Sequence, residues 1–128
     1  MITVTDYLMG REAEHGEELD DVKRANAAET VRRVNLLLER FGEDRKVRSG
    51  WRPSGINAAT PNAAPKSKHM DCLACDLDDD EGDLDEWCMD HQAELEEIGL
   101  WLEHPSATKS WCHIQTVPPK SGRRVFYP

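Results

Sequence analysis

Positions 67–91 read SKHMDCLACDLDDDEGDLDEWCMDH, and a further histidine lies in SWCHIQ at 110–115. Imidazole, thiolate and carboxylate are the groups that bind transition metals. Two groupings of these side chains are possible. Cys72-x2-Cys75 followed by Cys88-x2-His91 has the spacing of a structural zinc site, which would make the chain a noncatalytic zinc-stabilised interaction module. His69 and Asp76, with six residues between them, joined by His113, would instead give two imidazoles and a carboxylate. That set leaves a position open for water, as a catalytic zinc requires.

Strand geometry favours the second grouping. If CLACDL (72–77) is extended, Cys72, Ala74 and Asp76 share one face and Leu73, Cys75 and Leu77 the other, so the two thiols of Cys72-x2-Cys75 point apart. Converging them needs a knuckle turn, and the segment has none of the glycine or polar residues that build one. In SWCHIQ the same alternation sets Trp111, His113 and Gln115 against Cys112 and Ile114. Asp76 and His113 then lie on the polar faces of two strands whose apolar faces form a core. Cys88 and His91 fall on the apolar stripe of a helix, where a buried thiol and a satisfied histidine are the ordinary occupants.

The elements that must carry these residues follow from the pattern around them. Apolar positions from Leu19 through Val22, Ala27, Val31, Val34 and Leu38 to Phe41 mark an amphipathic helix that stops at Gly42. KVRSGWRP (46–53) reads as a strand halted by Pro53, and 53–68 as an ordered loop with one helical turn at INAA. Residues 83–98 form a second helix ended by Gly99, followed by strands at LWLE and SWCHIQ and a basic tail, RRVFYP. The acidic run at 76–86 lacks the spacing of a calcium loop and reads as the solvated start of that second helix. The order predicts one domain over 1–128, α+β with an antiparallel sheet.

Composition narrows the function. With 25 acidic and 16 basic residues the formal charge is −9, which argues against a nucleic-acid partner. No apolar run is long enough for a membrane span, and the N-terminal stretch lacks the features of a signal peptide. Synthesis in the cytoplasm is therefore expected, where four cysteines need not pair.

Taken together, SGWRPSGINAA, SKHM, ACDL, LWLE and WCHIQ resemble the zinc D-alanyl-D-alanine carboxypeptidase family, which includes phage endolysin peptidases that cut peptidoglycan stem peptides. The resemblance covers roughly residues 45–115 and rests on an S-G-W-R element, S-x-H-x6-D and W-x-H in that order. It implies the Hedgehog/DD-peptidase-like fold, a small antiparallel sheet carrying the zinc site packed with two main helices. It also implies Zn2+ held by His69, Asp76 and His113, with Arg52, Ser67 and Trp111 on the substrate side. The family places a carboxylate three residues before the last histidine, where this chain has Ser110. Glu103 is then the expected proton acceptor, with His104 as the next candidate. The implied substrate is a stem peptide, cut by a monomer that acts on the cell wall after release or as part of a virion.

Overall fold

The computed structural model describes all 128 residues. Six helices and five strands follow one another as α1 (Val4–Leu8), α2 (Glu12–His15), α3 (Asp21–Phe41), β1 (Val47–Ser49), α4 (Ser54–Ala59), β2 (Ala74–Asp78), α5 (Asp83–Asp90), α6 (Gln92–Ile98), β3 (Trp101–Glu103), β4 (Trp111–Gln115) and β5 (Val125–Phe126). Short 3-10 turns occupy Gly16–Glu18, Lys68–Asp71 and Pro105–Ala107. The fold is α+β, as the sequence order predicts.

The sheet runs β1-β2-β4-β3-β5. Its first four strands are antiparallel, but β5 pairs parallel to β3, so the sheet is mixed rather than purely antiparallel. The tail that ends the chain supplies this extra strand, with Leu102 opposite Val125 and Glu103 opposite Phe126. At the centre, β2 and β4 pair in full register, and Asp76 lies directly opposite His113.

Helix α3 is the main support. Asp20 caps its start by accepting from the Lys23 N–H, and Gly42, at φ 94°, takes the left-handed conformation that ends it. Its buried face is Ala27, Thr30, Val31, Val34, Leu37 and Leu38, the three-to-four spacing of an amphipathic helix. Val22 lies off that stripe and is exposed, while Leu19 is buried from the turn before the helix. These residues join Trp51, Cys75, Leu77, Leu84, Leu95, Leu102, Cys112 and Ile114 in a single core.

Several boundaries differ from the sequence reading. INAA is part of a regular helix, α4. The segment 83–98 is two helices, because the backbone leaves helical geometry at His91 (φ −128°, ψ 42°). Strand β2 begins only at Ala74, since Cys72 is left-handed at φ 60° and closes the preceding 3-10 turn. Helix α1 has no long apolar stripe to announce it. A reciprocal cap holds it: Thr3 accepts from the Asp6 N–H, and the Asp6 carboxylate accepts from the Thr3 N–H. It buries Tyr7, whose hydroxyl donates to the Ala74 carbonyl at 2.6 Å.

Candidate metal centre

Each of the three converging residues comes from a different local device. His69 sits in the 3-10 turn Lys68–Asp71, whose start is capped by Ser67 Oγ accepting from the His69 N–H at 3.2 Å. Asp76 and His113 are a cross-strand pair on the two central strands. Their ligand atoms and that of His69 all lie within 4.8 Å of one another, the one such group of three metal-binding side chains in the protein.

The hydrogen bonds around the group fix which atoms are free. His69 Nδ1 lies 2.8 Å from the Gly50 carbonyl, an acceptor, so the ring proton belongs on Nδ1. Nε2 then carries a lone pair; it is buried, has no hydrogen-bond partner and faces Asp76 Oδ2 at 3.3 Å. Burial also lowers the His69 pKa, although Asp76 pulls the other way. A lone pair and a carboxylate facing each other in a buried site can share a cation. The mixed nitrogen and oxygen donor set suits zinc.

His113 is held on both sides. Nδ1 is 2.8 Å from Asp76 Oδ1, and Nε2 is 3.0 Å from Gln115 Oε1. Gln115 donates its amide N–H to the Val117 carbonyl at 2.9 Å, which turns its oxygen towards the ring. The Nε2–H therefore donates to Gln115, which leaves Nδ1, hydrogen-bonded here to Asp76, as the ring atom a metal would take. Burial disfavours a charged His113, yet Asp76 and Glu103 outweigh it and raise its pKa. Burial would likewise raise Asp76, but His69 and His113 hold its carboxyl well below the usual range.

Gly50 serves this site through what it lacks. A Cβ there would collide with the backbone carbonyl of Tyr7, and the same close approach lets Trp51 N–H donate to that carbonyl at 3.0 Å. The S-G-W-R element thus packs α1 beneath the histidine that Gly50 orients.

Arg52 follows directly, its backbone N–H donating to the His69 carbonyl at 3.1 Å. Its guanidinium is half-buried, its Nε has no hydrogen-bond partner, and it engages no carboxylate. Burial lowers its pKa against the opposing pull of Asp76. Trp111 opens β4, two residues from His113 on the same face and half-buried.

Ser110, which stands where the family has its acid, accepts a hydrogen bond from Arg48 Nη1 at 2.6 Å. Arg48 also binds Asp78 and Asp80, so this serine belongs to a surface ion-pair network. Glu103 ends β3, whose register, Leu102 opposite Ile114, brings the next pair level with His113. Burial raises the Glu103 pKa, opposed by His113 and reinforced by Asp76. His104 is turned to another task, its Nδ1 accepting from the Ser106 N–H at 3.1 Å while its ring stacks on Tyr127.

The cysteine grouping does not assemble. Cys72, Cys75 and Cys88 are buried in the apolar core with free thiols, and His91 stacks on Trp87 with Nδ1 2.7 Å from the Trp87 carbonyl. The acidic run is structural too. Asp79 accepts from the Leu84 and Asp85 N–H groups at the start of α5, and Asp83 pairs with Arg45. Sequence reasoning missed Gln115, Gly50 and Tyr7 as parts of the site. Gln115 alone carried a signal, a polar residue in strand alternation with His113.

Two residues on the central strands and one in the turn before them thus make a buried group of two histidines and an aspartate that could hold a metal ion. The chain belongs to the peptidase M15 family, whose sequence model matches residues 6–115. That family comprises zinc peptidases of the D-alanyl-D-alanine carboxypeptidase type, and the match takes in the end of α1 as well as the three converging residues. Neither a curated protein nor a solved structure matches the chain.

Proposed function

We propose that the protein is a zinc-dependent peptidase that hydrolyses an amide bond in peptidoglycan stem peptides, serving a phage or prophage in cell-wall degradation. The observation that supports it most is the buried, unpartnered Nε2 of His69, aimed at Asp76, whose other carboxylate oxygen meets Nδ1 of His113. His69, Asp76 and His113 would hold the ion. Zinc bound there supplies Lewis-acid polarisation of a carbonyl and makes a water acidic enough to attack near neutral pH.

The remaining roles fall to this chain's own residues. Arg52 pairs with a carboxylate of the substrate, a charge-assisted contact that its unpaired, half-buried guanidinium is free to make. Glu103 accepts the proton of the attacking water and returns it to the departing amine. Its raised pKa brings it closer to the pH at which a general base must both take and give a proton. Ser67 and Trp111 flank the approach to His69 and His113. A monomer reaches the wall after release from the cell or as part of a virion.

Zinc-reconstituted protein incubated with purified peptidoglycan should release fragments whose masses identify the cut, terminal loss of D-Ala or an internal break such as L-Ala-D-Glu. His69→Ala, Asp76→Ala and His113→Ala should each lose turnover and zinc, while Cys72→Ser keeps both. A protein that binds no zinc after reconstitution, or full activity in His113→Ala, would refute the assignment.

A further inference from the structure

The N-terminal segment places a second guanidinium beside Arg52. Met9 and Gly10 are consecutive left-handed residues, at φ 59° and 73°, and this tight turn swings the chain from α1 back over the site. Arg11 follows, and its Nη1 donates to the Trp51 carbonyl at 2.7 Å. The Trp51 peptide is thereby gripped twice by one segment, through its N–H by Tyr7 and through its carbonyl by Arg11. The residue after Trp51 is Arg52.

Two like charges are thus brought together where neither has a carboxylate within ion-pair distance and Asp76 acts on Arg52 only from further off. Five of the ten arginines hold a carboxylate within 4 Å; Arg11 and Arg52 are among the five that do not, with Arg24, Arg123 and Arg124, and only these two lie beside the metal centre. Both are half-buried, and the Nε of Arg52 is sealed from water without a partner. Burial and the charge of Arg52 both lower the Arg11 pKa. Two desolvated cations sharing one spot cost free energy unless an anion joins them.

We propose that Arg11 and Arg52 form one carboxylate subsite next to the metal centre, and that Arg11 is a specificity-determining residue of the peptidase. The subsite selects peptides with a free carboxylate close to the scissile amide. That carboxylate is either the C-terminal α-carboxylate of a terminal residue or the free carboxylate of an internal acidic residue. The inference rests on the reading of the cluster as a peptide-cleaving centre, with Arg52 on the substrate side.

The test compares wild-type, Arg11→Ala and Arg11→Gln proteins, all zinc-loaded, on an acetylated D-Ala-D-Ala peptide and its C-terminal amide, and on a stem peptide with its internal D-Glu carboxylate free or amidated. Arg11→Gln keeps a donor for the Trp51 carbonyl but removes the charge. For whichever carboxylate is recognised, both variants should raise KM about tenfold or more. The amidated peptide should be handled alike by all three proteins, with zinc content unchanged and the thermal midpoint kept in Arg11→Gln, which retains a donor for the Trp51 carbonyl. Equal losses on free and amidated substrates, recovery in Arg11→Gln, or no loss at all would overturn the subsite. Binding of the same peptides to the zinc-loaded proteins, followed by NMR, separates this idea from the peptidase reading. Discrimination of acid from amide that disappears in both variants, in a protein without turnover, would uphold the subsite and refute the peptidase.

Discussion

Gln115 offers a test of the metal centre that replaces neither a metal ligand nor a substrate-binding residue. Its side chain is 4% exposed and its only bonds are to His113 Nε2 at 3.0 Å and the Val117 carbonyl at 2.9 Å. Gln115→Leu keeps nearly the same volume but removes the acceptor that holds the His113 proton on Nε2. One net hydrogen bond to a buried partner is then lost and the ring is free to turn away, which costs about 1–3 kcal/mol. Partners of metal-ligating histidines typically contribute 10–100-fold in affinity, roughly 1.4–2.8 kcal/mol, so the two arguments agree in size. Competition with a chromophoric chelator at fixed pH should therefore show zinc bound about 10–100-fold more weakly, while circular dichroism of the metal-free protein shows the native fold. Wild-type zinc affinity in a folded Gln115→Leu protein would refute the claim that Gln115 orients the ligand.

Glu103→Gln should reduce turnover by roughly 10²-fold or more while leaving zinc content unchanged; an active Glu103→Gln beside a dead His104→Ala would move the base to the histidine. Gly50→Ala must push its methyl against the Tyr7 backbone, so a destabilisation of about 1–3 kcal/mol is expected in urea unfolding, together with weaker zinc binding as the Gly50 carbonyl leaves His69. Unchanged stability would show that α1 can move aside freely. Asp85 is pushed up to about 6 from 3.8, chiefly by burial, against the hydrogen bonds of Cys112 and Thr108. The folded chain therefore holds that proton more tightly than the unfolded one, and its contribution to stability is full below about pH 4 and lost as pH rises through about 6. Thermal midpoints should fall over that interval, with a shallower slope in Asp85→Asn; equal slopes would show that Asp85 does not titrate there.

Two of the three converging residues were legible because strand alternation is strict, while His69, in a turn, was reached only by its spacing and by resemblance. Once ACDL and SWCHIQ are extended, Asp76 and His113 must leave the apolar face, and pairing in register sets them opposite each other. Long apolar periodicity likewise marked α3. What stayed hidden depends on partners far away in sequence. Ser110 reads as an empty catalytic position until Arg48, 62 residues earlier, is seen to bind it. Arg11 has no local signal, since its meaning comes from Trp51, 40 residues on. The two-residue strand β5 lies in a tail too short to show a period, and the break at His91 falls inside a continuous amphipathic pattern.

Four unpaired cysteines bear on how the protein would meet reducing and oxidising surroundings. All four are fully buried. Burial pushes the Cys72 thiol up to about 12 and raises Cys75 well above its ordinary value, while Cys112 is raised first by its hydrogen bond with Cys88 and then by burial. Oxidation proceeds through the thiolate and requires access, and the fold withholds both. The core therefore keeps its thiols out of reach of an oxidant in solution, and the fold stands without a disulfide.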